Sequence, residues 1–264
     1  MKALITGASS GIGRDMAKYL GKMGFDLILV ARNKERLEEV KSEITTNVEI
    51  ITMDLASEEN CEKLYNQVEN VDILINNAGF GLFGKFSETS LDTELEMIKT
   101  NIIAIHTLTK LFLKDMVKKD KGYILNVASI AGFLPGPLMT TYYSTKAYVL
   151  RLTQGIQEEL RKQKSNVKLS VLAPGPIATD FLSRAGVSFK TKSVSSEYVA
   201  KYAIEKMLSG KKIIVPSLKI KSARFFCKIV PDGVLAKVAY KIQKKREKWV
   251  KILIFQRKTL KKLT

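Results

Sequence analysis

Cysteine, histidine and tryptophan are nearly missing from this chain of 264 residues, with two, one and one copies. Cys61 and Cys227 lie far apart and match no metal-ligand spacing, so they read as reduced, packed thiols. A disulfide framework and a cysteine-rich metal site are both excluded on that reading. No apolar run approaches the roughly 18–20 residues needed to span a bilayer. The chain enters a strand-like segment at once, Met1-Lys2-Ala3-Leu4-Ile5, which leaves no room for a signal peptide, so a cytoplasmic location is expected. Acidic residues are scarce in one stretch only. Residues 211–264 hold 17 Lys and Arg against 2 Asp and Glu, a net of +15, whereas residues 1–210 hold 27 against 24, a net of +3. The picture is a near-neutral domain carrying a basic tail.

What is present is an ordinary globular balance, 45% apolar and 27% charged, which excludes a disordered chain. Short β-branched runs at Ala3–Thr6, Leu27–Ala31, Val48–Met53, Ile73–Asn76, Gly122–Val127, Val167–Leu172 and Lys212–Val215 read as strands. Between them, helical spacing covers Gly11–Met23, Lys34–Ile44, Glu58–Val68, Asp92–Lys118, Tyr142–Lys162 and Glu197–Leu208. Strands alternating with single helices imply right-handed crossovers, hence a parallel sheet covered on both faces, an α/β fold. No internal repeat or low-complexity linker occurs, and the division expected is a domain of residues 1–216 followed by a basic helical extension, 217–264.

The first strand runs into Gly7-Ala8-Ser9-Ser10-Gly11-Ile12-Gly13, and a helix follows. Glycine lets backbone N–H groups approach a ligand with no Cβ in the way, and a helix N-terminus favours an anion, so a pyrophosphate suits this turn. The spacing Gly-x-x-x-Gly-x-Gly is not the commoner dinucleotide form, and a plain flexible turn is the alternative. After the second strand the chain reads Leu29-Val30-Ala31-Arg32. An acidic residue there would hold a ribose 2′-hydroxyl; a guanidinium instead pairs with a 2′-phosphate, which points to NADP(H) unless Arg32 is one more solvated charge.

Tyr142-Tyr143-Ser144-Thr145-Lys146 opens a helix, and the spacing of four puts Tyr142 and Lys146 on one face while Tyr143 points elsewhere. An ammonium beside a phenol is expected to lower the phenol pKa, bringing it within reach of acid–base work. Ser129 lies just past a strand, at the sheet edge where open α/β folds bind ligands, so Ser129 and Tyr142 can converge on one substrate oxygen. His106, the only histidine, falls inside the long helix Asp92–Lys118 and reads as structural.

With these pieces in order, the chain resembles the short-chain dehydrogenase/reductase superfamily, in its single-domain, NADP(H)-preferring branch. The resemblance is carried by Thr6 to Gly13, Asp54, Asn76-Asn77-Ala78-Gly79, Asn101, Ser129, Tyr142-x-x-x-Lys146 and Pro174-Gly175-Pro176-Ile177-Ala178-Thr179, and it covers about residues 1–216. It implies a Rossmann-like, doubly wound seven-stranded sheet of order 3-2-1-4-5-6-7. The cofactor would lie across its C-terminal edge, with Gly7, Ser9, Ser10, Gly11, Ile12 and Gly13 at the phosphates. Asp54 and Leu55 would lie near the adenine, and Asn77, Ala78 and Gly79 beside the adenosine ribose. Ser129 would polarise a carbonyl and Tyr142 protonate its oxygen, while Lys146 holds the nicotinamide ribose and Asn101 a water of a proton relay. Pro174, Gly175, Ile177 and Thr179 would close over the nicotinamide. No metal is implied.

Phe181, Leu182, Val187 and Phe189 make the expected lid apolar, which favours an apolar ketone, aldehyde or 3-oxoacyl compound over a sugar, unless they pack under the lid. In the tail, Val234, Leu235, Val238 and Ile242 fall on one helical face with Lys237, Lys241 and Lys244 away from it, Trp249 following. Three uses compete: attachment to an anionic membrane surface, packing against the core or a sister subunit, and docking of an acidic partner such as an acyl carrier, with nucleic acid the least favoured of these. The resemblance also implies a homo-oligomer, built through the two long helices Asp92–Lys118 and Tyr142–Lys162. Two rivals to the NADP(H)-dependent reductase stand: an NAD-preferring alcohol or hydroxysteroid-type dehydrogenase, and a non-catalytic NADP(H)-binding protein at a membrane.

Overall fold

Seven short runs of branched and leucine side chains become strands, and the order in which they pair decides where everything else sits. A computed structural model describes residues 1–177, 194–227 and 229–245. Its strands are β1 (Lys2–Thr6), β2 (Asp26–Ala31), β3 (Val48–Thr52), β4 (Ile73–Asn76), β5 (Tyr123–Val127), β6 (Lys168–Leu172) and β7 (Ile213–Ile214). They form one parallel sheet in the order β3-β2-β1-β4-β5-β6-β7. The register sets Ile5 of β1 between Leu29 of β2 and Ile75 of β4. The sheet order is the one the resemblance implies, and strand limits differ from the periodicity by a residue or two.

The helices are α1 (Gly11–Lys22), α2 (Lys34–Ser42), α3 (Glu58–Gln67), α4 (Leu91–Ile98), α5 (Ala104–Lys118), α6 (Thr140–Lys162), α7 (Ser196–Leu208) and α8 (Leu218–Phe226). A further helix, α9, covers 232–245. Side chains alternate across each strand, so one sheet supplies two cores. On one face Ile5, Leu29 and Ile75 meet Met16 and Leu20 of α1 and Ile204 of α7. On the other Leu4, Ile28, Leu74 and Ile124 meet Leu64 of α3 and Leu108 and Phe112 of α5. Each such side chain, buried completely or nearly so, contributes about 1.5–3 kcal/mol over leaving it in water. Side-chain caps start several helices cleanly: Asn33 accepts from the Arg36 N–H, Ser57 from Asn60, Ser90 from Thr93 and Ser195 from Tyr198.

Below the ligand edge, a buried polar chain ties four elements together. The Asn76 amide of β4 donates to Thr109 Oγ1 of α5 at 3.0 Å and to Asn126 Oδ1 of β5 at 2.9 Å. The Asn126 amide donates in turn to Thr153 Oγ1 of α6 at 3.1 Å. Bonds of this kind in a low-dielectric interior hold relative positions more sharply than apolar contacts do. Cys61 belongs to the core, its thiol pushed up to about 11 by burial, which leaves it unreactive.

Two sequence expectations are corrected here. The continuous helix over Asp92–Lys118 is instead α4 and α5 joined by a π-helical turn, Lys99–Ile103. The extra residue in that turn shifts the face that follows, and periodicity alone does not register such an insertion. In α9 the apolar set does not share one environment. Leu235 is buried together with Ala239 and Gln243, whereas Val234, Val238 and Ile242 are exposed. Helical spacing grouped Leu235 with its neighbours, but contact with the core selects the narrower line 235, 239, 243.

Candidate active site

A cavity of about 520 Å³ runs along the C-terminal edge of the sheet, over the point where the strand order reverses between β1 and β4. It is built of backbone at one end and of side chains at the other.

At the first end, β1 leaves the sheet through Gly7, whose φ of +65° suits glycine and where a Cβ would stand 2.9 Å from Ala78 Cα. Gly13, inside α1, is needed for space: a Cβ there would meet the Gly7 carbonyl oxygen at 2.4 Å. The two glycines let α1 press its first turn against the strand end. Asn77 braces the turn, its amide donating to the carbonyls of Thr6 and Gly7, both at 3.1 Å. Thr6 Oγ1 accepts from the N–H groups of Asn77 and Ala78, both at 3.0 Å. Ser10 stands at the N-cap of α1 with no side-chain cap bond, so the helix opens toward the cavity through Ser10, Gly11 and Ile12. A turn with no room for a Cβ at Gly7 or Gly13, leading into a helix N-terminus, fits the phosphates of a dinucleotide.

Past the end of β2, Arg32 lines the cavity with Asn33 and Arg36. Its guanidinium donates to Glu96 Oε1 at 2.9 Å and stands 3.6 Å from Asp54 Oδ2, with all three side chains about half exposed. Asp54 and Leu55 line the same stretch, as do Ala78 and Gly79 opposite.

At the other end Ser129 ends the loop after β5 and Tyr142 and Lys146 rise from the first turns of α6; all three are buried. A short 3₁₀ turn, Ile130–Phe133, presses against α6 so closely that a Cβ on Gly132 would meet the Lys146 carbonyl oxygen at 2.6 Å. That contact sets Ser129 beside Tyr142, and their hydroxyls are hydrogen-bonded. Lys146 Nζ donates to the Val127 carbonyl at 2.9 Å and lies 5.9 Å from the Tyr142 ring centroid.

Burial governs both titrations. It pulls the Lys146 pKa down to about 8. It pushes the Tyr142 phenol well above its ordinary value, the Ser129 hydrogen bond pulling the other way. The direction is opposite to the lowering expected from Lys146: desolvation of the buried phenol is the largest influence, and the ammonium spends its hydrogen bond on a backbone carbonyl. A phenol so placed holds its proton at neutral pH and can give it up only to a strong base.

Of the other expected residues, Pro174, Gly175 and Ile177 line the cavity. Thr179 lies outside the described residues, as do Phe181, Leu182, Val187, Phe189 and Trp249. Asn101 stands behind the wall in the π turn. Its amide donates to the Phe80 carbonyl at 2.9 Å and to Thr145 Oγ1 at 3.1 Å, and its Oδ1 accepts from the Phe80 N–H. His106 is exposed on α5, bonded through Nδ1 to the Tyr148 hydroxyl at 2.7 Å and away from the cavity.

Among the side chains at the second end that sequence reasoning does not reach are Met139, Tyr143 and Gln243. Tyr143, expected to point elsewhere, also faces the cavity. Consecutive helical residues are only about 100° apart, and the first turn of α6 crosses the cleft, so both tyrosines reach it. Gln243 arrives from α9, 100 residues further along, and its amide donates to the Tyr143 hydroxyl at 2.9 Å. No local signal could have found it.

The family model described as short chain dehydrogenase matches residues 1–187. Among curated relatives, the very-long-chain 3-oxoacyl-CoA reductase of Bos taurus is 34% identical over 189 residues, covering 67% of this chain and 59% of that protein. Among solved structures, a short-chain dehydrogenase from Sphingobium yanoikuyae in complex with NADPH superposes with a TM-score of 0.76 at 28% identity, over 87% of this chain and 96% of that one. A short-chain dehydrogenase/reductase from Burkholderia phymatum in complex with NAD has the same fold, with a TM-score of 0.77 at 23% identity, over 84% and 91%.

Proposed function

The chain belongs to the short-chain dehydrogenase family, and from that premise we propose an NADP(H)-dependent carbonyl reductase acting on an apolar ketone, aldehyde or 3-oxoacyl compound. The observation that carries the reading is the meeting of Ser129, Tyr142 and Lys146 at one end of a cleft whose other end is the Gly7–Gly13 turn.

The cofactor's phosphates would sit on the backbone of Ser9 to Ile12, its adenine between Arg32 and Leu55, and its nicotinamide under Pro174 to Ile177. When bound, the nicotinamide supplies the hydride. Ser129 and Tyr142 present two hydroxyl donors at one point, where negative charge develops on the carbonyl oxygen. Tyr142, protonated at neutral pH, transfers its phenolic proton to that oxygen. Lys146, still largely charged at pH 7, adds positive charge beside the phenol as it loses its proton. Asn101 positions rather than reacts: it clasps the Phe80 backbone on one side and Thr145, next to Lys146, on the other.

NADP(H) is favoured by Arg32 together with Arg36 at the adenosine end. Exchanging an exposed pair with Glu96 for a phosphate costs little, since such pairs are worth about 0.2–1 kcal/mol and a guanidinium–phosphate pair is stronger. The NAD-preferring alternative draws on the same place, because Asp54 and Glu96 flank the guanidinium. The apolar substrate is supported by Phe80, Ala131, Met139, Tyr142 and Tyr143, which pack together at the reacting end. Such a substrate dissolves in membranes, and the +15 of residues 211–264 suits a cytoplasmic enzyme working on an anionic membrane surface. A homo-oligomer through α5 and α6 belongs to the same reading.

The test is oxidation of NADPH and NADH against a panel of ketones, aldehydes and 3-oxoacyl thioesters. The expected result is turnover that prefers NADPH and falls about 10²–10⁴-fold in Tyr142→Phe. Tight NADPH binding without turnover across the panel would favour the binding-protein rival.

A further inference from the structure

Helix α9 has two faces with different tasks. Its inner line, Leu235, Ala239 and Gln243, is buried at 9%, 4% and 1% exposure. Gln243 Nε2 donates to the Tyr143 hydroxyl and stands 3.7 Å from Met139 Sδ, and both partners line the substrate end of the cleft. This line fixes the rotation of the helix about its axis. It therefore also fixes what faces away.

About 100° round the helix from that line, at the same spacing of four, Val234, Val238 and Ile242 are exposed at 48%, 49% and 47%. Beside that ridge runs a second one, Lys237, Lys241 and Lys245, all exposed. Just upstream, the end of α8 and the turn after it expose Phe225, Phe226 and Ile229. Single exposed apolar residues are ordinary, but an apolar ridge running beside a lysine ridge is the pattern of a helix lying in a bilayer interface. No described helix is long and apolar enough to cross a membrane.

A second copy of the chain suits this face poorly. A two-fold contact sets the same patch against itself, so each lysine ridge would approach its own copy in a segment already carrying +15. An anionic bilayer answers both ridges at once, the valines and isoleucine entering the headgroup boundary and the lysines meeting lipid phosphates.

We propose that the outer face of α8 and α9, centred on Val234, Val238, Ile242, Lys237, Lys241 and Lys245, docks on an anionic bilayer, setting the α9 wall of the substrate cleft against the membrane. Docking by this face rests on the membrane-surface reading and adds to it the residues that touch lipid. A substrate dissolved in the bilayer then reaches Ser129 and Tyr142 along the helix that anchors the enzyme.

Co-sedimentation of the full chain with phosphatidylcholine vesicles, with and without phosphatidylglycerol, tests this. The wild type should bind the phosphatidylglycerol vesicles and only weakly the neutral ones. Val234→Ser/Val238→Ser/Ile242→Ser should bind at least about tenfold more weakly, from the apolar area lost. Lys237→Gln/Lys241→Gln/Lys245→Gln should lose about fivefold per lysine and much of its salt dependence. Circular dichroism melts identify any variant that fails to fold, and the other variant set then decides. Absence of wild-type binding would overturn membrane attachment altogether. Wild-type binding that both folded variants retain in full would overturn this face alone and move the contact elsewhere on the basic segment. Absence of wild-type vesicle binding, with a dimer by light scattering that the serine variant dissolves, would make the face an interface between copies.

Discussion

The two ends of the cleft are made of different material. The end proposed for the phosphates is largely backbone, formed by the Gly7–Gly13 turn and the opening of α1, and its shape depends on the absence of a Cβ at Gly7 and Gly13. The end proposed for the reaction is made of side chains brought from the loop after β5, from α6 and from α9, with Tyr142 and Lys146 deeply buried. A backbone-built site is read from a short local motif. A side-chain-built site depends on where distant elements settle. Disturbing the two ends should therefore fail in different ways, and four substitutions separate them.

The largest effect is expected at the turn. Gly13→Val drives a side chain into the Gly7 carbonyl, where even a Cβ stands at 2.4 Å. It should cost about 1–3 kcal/mol of stability in chemical denaturation and remove measurable NADPH binding in a fluorescence titration. Arg32→Ser is next: NADPH affinity should fall about tenfold to a hundredfold, as for a lost charged hydrogen bond, while NADH affinity holds. Equal loss for both cofactors would return the choice to the NAD-preferring alternative.

Gln243→Ala probes the other end. It should raise KM for a long apolar substrate about fivefold, the value of one hydrogen bond, and leave the dissociation constant of NADPH unchanged. A change in NADPH affinity would show that α9 supports the cofactor end as well.

The smallest effect concerns Lys146 and pH. Its folded pKa is about 8, below the ordinary 10.5 that the unfolded chain retains. Between those values the unfolded state binds the extra proton, so stability rises with pH there, and below pH 8 the contribution is flat. Lys146→Met should flatten that rise, seen as a smaller gain in Tm from pH 8 to pH 10, at roughly 2–4 °C for each kcal/mol involved. A rise identical to wild type would mean that another group carries it.

The legibility of this protein from its sequence follows the same division. All seven strands, most helices and the glycine turn are legible because each is set by contacts within a few residues: branched runs for strands, apolar spacing for helices, glycines for the turn. Ser129, Tyr142 and Lys146 were readable because a strand end and a spacing of four place them without reference to the rest of the chain. The π turn was hidden, since one extra residue in a helix leaves the apolar pattern nearly intact while turning Asn101 toward Phe80 and Thr145. The phenol pKa departs from the sequence expectation for a related reason. Proximity of Lys146 is visible in spacing, but burial is a property of the assembled core.

Local sequence, then, determined which segments are strands, where the glycine turn lies and which side chains share the first turns of α6, because steric and spacing rules act over one or two turns of chain. Tertiary structure alone decided which face of α9 is inside, that Tyr143 and Gln243 meet at one end of the cleft, and that burial pushes the Tyr142 phenol up. Those outcomes depend on which surfaces exclude water from one another, and water is excluded only when residues a hundred positions apart come together.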